Sequence, residues 1–185
     1  MYKKILFATD GSEQSLKAAR KLVEAAQIWQ GATIKIFHAE NHHLPPSSIP
    51  LPFAFQMTNP SYEYRIPDKD YILIRENFRK FGEKILRETK QIFDEAKIPV
   101  STELVIDESP AGYAKRAVKE EKFDLVVVGA RGHHSKLREV FLGSVCEEIM
   151  NQVDCDVLLV RKRILFYYLI EGQNKEKMEL IVEFD

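Results

Sequence analysis

Cysteine and long apolar runs are both scarce in this sequence. No stretch approaches the roughly 20 apolar residues of a membrane span, so the pattern argues against a membrane protein. The apolar run Ile5 to Ala8 is too short for a signal peptide, and we therefore expect a cytoplasmic protein. The two cysteines, Cys146 and Cys155, have no Cys or His partner at metal-ligand spacing. They are expected to be buried, reduced thiols rather than a disulfide.

A surplus of charge of one sign is also lacking. The 27 Lys and Arg residues and 28 Asp and Glu residues leave a formal net charge of −1. Such a balance creates no overall basic field, which argues against binding to nucleic acid or to an anionic membrane. The chain has 185 residues, of which 45% are hydrophobic and 30% are charged. This length and composition are typical of one globular domain with a substantial core.

Short apolar runs alternate with segments of helical periodicity along the chain. Five such runs, each bounded by turn signals, predict strands, and amphipathic segments between them predict helices. Near-continuous apolar strands separated by helices indicate a parallel sheet that is covered on both faces. In such sheets ligands bind beyond the carboxyl ends of the strands. The predicted strands are residues 3–9, 33–39, 100–106, 124–128 and 156–160.

Glycine is uncommon as well, yet three of the eight glycines surround one loop after the fourth strand. Gly129 and Gly132 can adopt positive φ and expose their N–H groups, and Gly143 precedes a helix whose first N–H groups favour an anion. Ser144 could cap that helix or bind a phosphate oxygen, and Arg131 could add a charge-assisted contact. The loop therefore predicts a phosphate site, although it lacks the Gly-Lys-Ser/Thr of a Walker loop. The alternative is that these glycines only make tight turns.

Three stretches carry a family resemblance: "YKKILFATDGSEQS", "GARG" followed by "LGSV", and "CDVLLVRKR". Together they resemble the ATP-binding branch of the universal stress proteins, over residues 1–163. The resemblance implies a five-stranded parallel open sheet with helices on both faces, of the adenine-nucleotide alpha-hydrolase type, with strand order 3-2-1-4-5. It also implies ATP at the strand ends and a homodimer formed through the last strand, 156–160.

The same resemblance implies a set of nucleotide-binding positions. Asp10 matches the acidic residue after strand one, and could also hold Mg²⁺ through water. Ala39 matches a small residue beside the adenine, and Val128 matches the residue before the first glycine. The full set consists of Ala8, Thr9, Asp10, Ala39, Val128, Gly129, Arg131, Gly132, Gly143, Ser144 and Val145.

The sequence departs from the family pattern in three places. Residues 133–142 make the glycine loop one residue longer than usual, at a closure cost of only about 0.1 kcal/mol. That added residue either bulges outward or misaligns the phosphate donors. Glu108 stands where the family has a glycine, two residues before Pro110, and adds an acidic side chain near the site. The third departure is a C-terminal extension, residues 164–185.

Two segments lie outside the strand and helix pattern. Residues 40–68 contain six prolines and several aromatic residues, and form either a variable surface insertion or a lid or docking surface. The extension 164–185 alternates as a β-hairpin would, and we expect it to extend the dimer interface unless it is disordered. The His pairs at 42–43 and 133–134 lack the spacing of a metal site.

Three functions of different classes are compatible with these features. The first is an ATP-binding, nucleotide-dependent regulatory or stress-response module that signals through an unknown protein partner. The second is a dimeric interaction module that has lost ATP binding. The third is an enzyme, at most a slow ATP hydrolase, since no constellation of base, nucleophile and orienting group accompanies the loop.

Overall fold

The computed structural model describes residues 1–29, 31–40, 48–49, 64–65, 68–130, 143–160 and 165–168. Strands and helices alternate through most of this part of the chain, as the hydrophobic pattern predicts. The elements in chain order are β1 Lys4–Ala8, α1 Glu13–Ile28, β2 Thr33–Glu40, β3 Ser48–Ile49, β4 Tyr64–Arg65, α2 Asp68–Glu95, β5 Val100–Ile106, α3 Pro110–Glu121, β6 Leu125–Gly129, α4 Ser144–Gln152, β7 Asp156–Val160 and β8 Leu165–Tyr168.

The main sheet has the strand order β5-β2-β1-β6-β7-β8. Its first five strands are parallel to one another, which confirms the predicted five-stranded sheet and its order. The chain moves outward from β1 through β2 to β5 and then returns to the other side of β1 with β6. The topological switch point therefore lies between β1 and β6, where a ligand of such a sheet is expected.

The outer edge of β7 is occupied by a strand of the same chain. Leu165–Tyr168 pairs antiparallel with β7, and Val160 lies opposite Leu165 in the register. The strand order implied by the family resemblance leaves residues 156–160 at the edge of the sheet, but β8 occupies that edge. A strand has only two hydrogen-bonding edges, and β6 and β8 take both. The homodimer remains a prediction, and the second arm of the predicted hairpin lies outside the described residues.

Two apolar layers cover the sheet, one on each face. Side chains alternate along each strand, so Phe7, Ile36 and Val127 face α1 and α2, whereas Leu6, Phe37 and Val126 face α3 and α4. All six side chains are at most 1% exposed. Burial on both faces explains why these strands are apolar without interruption.

Local capping fixes the starts of two helices. The Ser12 side chain accepts a hydrogen bond from the Ser15 N–H at 3.2 Å, and Ser109 accepts one from the Gly112 N–H at 3.0 Å. Each cap stabilises its helix by about 1 kcal/mol. Helix α3 starts at Pro110, directly after its N-cap Ser109, as the sequence pair Ser109-Pro110 favours. Both caps hold a helix N-terminus at the carboxyl edge of the sheet.

The longest helix, α2, has 28 residues and spans about 42 Å. It contains the apolar positions that predicted a helix between the second and third strands of the sequence analysis. Among the helices of the described residues, none is long and apolar enough to cross a membrane. The small antiparallel pair β3-β4 falls within the predicted insertion 40–68, most of which lies outside the described residues.

Candidate functional site

The turn after β1 is held by a network of buried hydroxyl groups. The Thr9 hydroxyl lies 3.1 Å from that of Thr89 in α2 and 3.3 Å from that of Ser15, and it accepts a hydrogen bond from the Gly11 N–H at 3.3 Å. The Thr9 backbone is engaged too, because its N–H donates to Phe37 in β2 at 3.0 Å. Thr9 was predicted beside a nucleotide. In this structure its side chain points into the interior and positions the turn.

Asp10 follows at the carboxyl end of β1, where the sequence analysis placed it. Its Oδ1 atom accepts a hydrogen bond from the Ser12 N–H at 3.0 Å, which orients the half-buried carboxylate. Gly11 adopts φ +72°, and a Cβ on it would meet a side-chain carbon of Ile85 at 2.9 Å. Only glycine fits this turn without strain or displacement of Ile85. The turn therefore fixes the position of the Asp10 backbone.

Ala8, Ala39 and Val128 come together at the carboxyl ends of three strands. Ala8 lies opposite Val128 in the β1–β6 register, and all three belong to the core layer that faces α3 and α4. Ala8 and Val128 are buried, and Ala39 is half-buried at the edge of this layer. The three predicted positions thus form a small apolar surface beside the β1 turn. Such a surface suits a flat apolar group more than a charged one.

Gly129 has a packing role that its spacing did not predict. It ends β6, and a Cβ placed on it would lie 3.2 Å from the carbonyl carbon of Gln14 and 3.2 Å from the Ser15 nitrogen. The glycines with positive φ in the described residues are Gly11 and Gly31, so Gly129 does not use the left-handed region. The positive φ that glycine would allow at this position is therefore not used. Its lack of a side chain lets the first turn of α1 approach the sheet.

The two ends of the glycine loop are held together by a backbone hydrogen bond. The Gly143 N–H donates to the Ala130 carbonyl at 2.9 Å, and the Ala130 N–H donates to Val160 in β7 at 3.0 Å. The intervening residues 131–142, which include the predicted Arg131 and Gly132 as well as the His pair, lie outside the described residues. The loop therefore leaves and rejoins the fold at one point beside the ends of β1 and β6.

Helix α4 begins where the loop rejoins. Gly143 is its N-cap with φ −68° and ψ 147° and provides no side-chain cap, so Ser144 is the first helical residue rather than the cap that was considered for it. Ser144 is exposed, and Val145 is 39% exposed. An N-terminus without a side-chain cap presents N–H groups to an incoming anion. Glu147 in the first turn places one carboxylate close to them.

This arrangement joins an acidic turn, an apolar surface and a helix N-terminus along one edge of a parallel sheet. The sequence model of the Universal stress protein family matches residues 1–161 of the chain. The chain belongs to the universal stress protein family.

Two relatives in this family illustrate the sequence similarity. The universal stress protein YxiE of Bacillus subtilis is 32% identical over 161 residues, which cover 87% of this chain and 100% of the relative. Universal stress protein MJ0531 of Methanocaldococcus jannaschii is 30% identical over 162 residues, which cover 88% of this chain and 84% of the relative. The similarity therefore extends over almost the whole length of both proteins.

Solved universal stress protein structures share the fold. UspA of Lactobacillus plantarum superimposes with a TM-score of 0.65 at 20% identity, covering 86% of this chain and 98% of that one. A universal stress protein in complex with cAMP gives 0.54 at 23% identity, covering 86% and 97%. A family protein of Arabidopsis thaliana with AMP bound gives 0.55 at 16% identity, covering 85% and 90%. At these identities the likeness concerns the fold alone.

The acidic departure from the family pattern has a partner in the structure. Glu108 accepts hydrogen bonds from Arg116 in α3, at 2.8 Å to Nη2 and 3.3 Å to Nε. This two-point contact offsets much of the charge of Glu108. The sequence did not predict this pair, because Arg116 lies eight residues beyond Glu108 and Glu108 precedes the helix.

Both cysteines lie on the side of the sheet that α4 covers. They are free, Cys146 is buried and Cys155 is half-buried, which confirms the expectation of unpaired thiols. Burial raises the pKa of each thiol to about 12, and neighbouring carboxylates act in the same direction. The thiols are therefore protonated at neutral pH and have little nucleophilic character. Cys146 belongs to the first turn of α4, and its buried side chain packs that turn into the core layer.

Proposed function

We propose that this universal stress protein binds an adenine nucleotide, with ATP as the preferred ligand, and acts as a nucleotide-dependent regulatory module. The observation that carries the proposal is the hydrogen bond between Gly143 and Ala130. It brings the N-terminus of α4 to the carboxyl ends of β1 and β6, which is the switch point of the sheet. The phosphates would lie at this N-terminus.

The remaining parts of the nucleotide have fitting neighbours. The apolar surface of Ala8, Ala39 and Val128 suits the flat adenine ring. The oriented carboxylate of Asp10 suits a sugar hydroxyl, or Mg²⁺ held through water. Support also comes from two neighbours of the same fold, whose structures hold cAMP and AMP.

Regulation suits the site better than rapid catalysis. The carboxylate of Asp10 accepts a hydrogen bond from the Ser12 N–H, and the Thr9 hydroxyl forms hydrogen bonds in the interior. In the described residues no pair of nucleophile and base faces the switch point in a geometry that would activate water. Slow ATP hydrolysis remains the alternative, in which turnover would time the release of a partner. We place the protein in the cytoplasm, where a reducing medium keeps its two thiols free.

Thermal unfolding with and without Mg-ATP tests the proposal. Ligand at one hundred times its dissociation constant should stabilise the fold by about 2.7 kcal/mol, which for this chain length is about 5–10 °C in Tm. Ser144→Ala should reduce this shift with little effect on the unliganded protein, because Ser144 is exposed and does not cap its helix. Gly132→Val should abolish the shift through steric conflict with a phosphate.

A matched control is Ser101→Ala. Ser101 is an exposed serine near the amino end of β5, on the opposite edge of the sheet, and its substitution should leave the Mg-ATP shift unchanged. Nucleotide released from the purified protein by heat and separated by chromatography would identify the natural ligand. An unchanged Tm at millimolar Mg-ATP, together with no released nucleotide, would contradict the proposal and favour an interaction module without ATP.

A further inference from the structure

A second concave site lies at the carboxyl edge of the sheet, apart from the nucleotide site. A cavity of about 350 Å³ opens between the N-terminal half of α2 and the ends of β2 and β5. Side chains alternate along β2, so Ala39 belongs to the layer beneath α3 and α4, whereas Glu40 lies on the α2 side. The residues that matter below are Glu40, Ile72, Arg75, Phe78, Ile106 and Asp107.

Glu40 gives this cavity a buried hydrogen-bond acceptor. The residue is 6% exposed, and its Oε1 atom is fully buried without a hydrogen-bond partner in the part of the chain that the structure describes. A buried polar atom without a partner costs free energy, and most such atoms in proteins are satisfied. Burial raises the pKa of Glu40 overall, although a hydrogen bond from the backbone of Gly82 lowers that pKa in part. Glu40 also lines the cavity, so a donor bound there would contact the carboxylate group of this residue.

The backbone of α2 leaves space for the Glu40 carboxylate. A Cβ on Gly82 would lie 2.5 Å from Oε1 and 2.6 Å from a methyl carbon of Leu104, so a side chain here would displace the acid. His38 lies alongside, with Nε2 3.8 Å from Oε1, which is beyond hydrogen-bonding distance. Its Nδ1 atom lies 2.8 Å from the Thr9 carbonyl and therefore carries a hydrogen. The acid is thus held in place by the fold beside the backbone of Gly82, and its Oε1 atom has no hydrogen-bond partner among the described residues.

The rim charges leave the cavity with a negative bias. Arg75 forms an ion pair with Asp107 at 2.9 Å, and Arg79 pairs with Glu83 at 3.0 Å. Each rim arginine therefore already faces an acid. Glu40 and Glu76 add two further carboxylates to the lining. A cation is favoured over an anion in such surroundings.

The walls and the backbone of the cavity are consistent with a ligand. Ile72, Phe78 and Ile106 provide apolar surface, and Ile72 and Ile106 remain 59% and 44% exposed at the opening. Asp107 holds the left-handed conformation with φ 62°, and its N–H donates to the Glu40 carbonyl at 3.2 Å. A few polar groups within an apolar lining are typical of small-molecule pockets.

We propose that this cavity binds a small organic ammonium compound, whose charged nitrogen donates to Glu40 and whose apolar body rests on Ile72, Phe78 and Ile106. The ligand class is a primary amine on an aromatic or branched apolar group. This site is separate from the proposed nucleotide site, because it lies on the other face of β2 and uses none of its residues. Its test therefore does not depend on nucleotide binding.

The experiment is a titration of the full chain followed by ¹H–¹⁵N NMR, with three probes of matched shape. Phenethylamine carries the ammonium group, 2-phenylethanol replaces it with a hydroxyl, and 3-phenylpropionate carries the opposite charge. We expect saturable shifts of the backbone signals of Ile106 and Asp107 with phenethylamine. Binding should be at least tenfold weaker for the alcohol and undetectable for the acid. Saturating Mg-ATP should leave these shifts in place.

Variants assign the binding to the acid. Glu40→Gln should weaken phenethylamine binding at least tenfold, and Glu88→Gln, an exposed acid farther along α2, should have no effect. Thermal unfolding of Glu40→Gln checks that the fold is intact. The affinity of the parent protein should fall as the pH falls, because protonation of Glu40 removes the counter-charge. Equal binding of amine and alcohol, an unaffected Glu40→Gln variant, or the absence of saturable shifts would each overturn the proposal.

Discussion

Replacement of Gly129 by alanine tests the close packing between β6 and the first turn of α1. The added Cβ would lie 3.2 Å from both the Gln14 carbonyl carbon and the Ser15 nitrogen, and 3.4 Å from the Gln14 oxygen. These are backbone atoms, which cannot rotate away as the end of a flexible side chain can. The same turn is held by the Ser12 cap and by the hydrogen bond from Leu16 to the Ser12 carbonyl at 2.9 Å. The methyl group must therefore push α1 and β6 apart.

The expected magnitude follows from two opposing terms. Insertion of a methylene-sized group into a packed region costs about 1–3 kcal/mol, whereas the loss of glycine's freedom in the unfolded chain returns about 0.4–1 kcal/mol. A net loss of about 1–2 kcal/mol corresponds to a fall in Tm of about 2–8 °C for a chain of this length. Because Asp10 belongs to the turn that precedes α1, we also expect weaker nucleotide binding.

Calorimetry without nucleotide measures the loss of stability. Substitutions of Gly31, which has free space around it, serve as the comparison. A Cβ on Gly31 would meet nothing within 4 Å, but its φ of +84° is unfavourable for alanine. Asparagine tolerates that region better, so Gly31→Asn should be more stable than Gly31→Ala. At position 129 serine should be no better than alanine, since any Cβ meets the same atoms. A Gly129→Ala protein that melts at or above the parent temperature would refute the packing argument.

Three further predictions concern other parts of the molecule. Glu147→Gln should tighten Mg-ATP binding about two- to fivefold by calorimetric titration, because an exposed like charge near a helix N-terminus is worth about 0.3–1 kcal/mol; weaker binding would place the phosphates elsewhere. The pKa of Glu40 is raised above 4.5, so its ionisation destabilises the fold as the pH rises, and the Tm advantage of Glu40→Gln should grow from acid to neutral pH. Light scattering should find a homodimer that deletion of residues 164–185 weakens, since β8 is now the outer strand; a full-length monomer at tens of micromolar would contradict it.

The fold class could be predicted because its signals are local. The apolar runs around Phe7 and Val127 predict buried strands, and Ser109-Pro110 predicts the start of a helix within two residues. Strand order came from the family resemblance, since pairing joins residues far apart in the chain. Ile5, for example, lies opposite both Ile34 and Leu125. Which strands pair depends on the packing of whole helices against the sheet.

The kinds of residue at the candidate site could also be predicted from the sequence, but the structural roles of several of them could not. An acidic residue after a strand and a glycine before a helix are visible in the sequence as Asp10 and Gly143. The interior position of the Thr9 hydroxyl was not visible, because its partner Thr89 lies 80 residues away on α2. The packing role of Gly129 could not be predicted either, because the atoms that exclude a side chain there belong to α1, which is far away in the sequence.

The edge of the sheet shows most clearly what the sequence alone could not predict. The apolar run 164–170 predicted the first arm of a β-hairpin, and Leu165–Tyr168 is a β-strand. Its partner was decided by the tertiary structure, in which β8 turns back and pairs with β7 rather than leaving that edge to a second chain. Side-chain pattern determines which segments can form strands, because the pattern sets which faces are apolar. The hydrogen-bonding edge of a strand is backbone and therefore the same in every sequence, so only the positions of the surrounding elements decide what pairs with it.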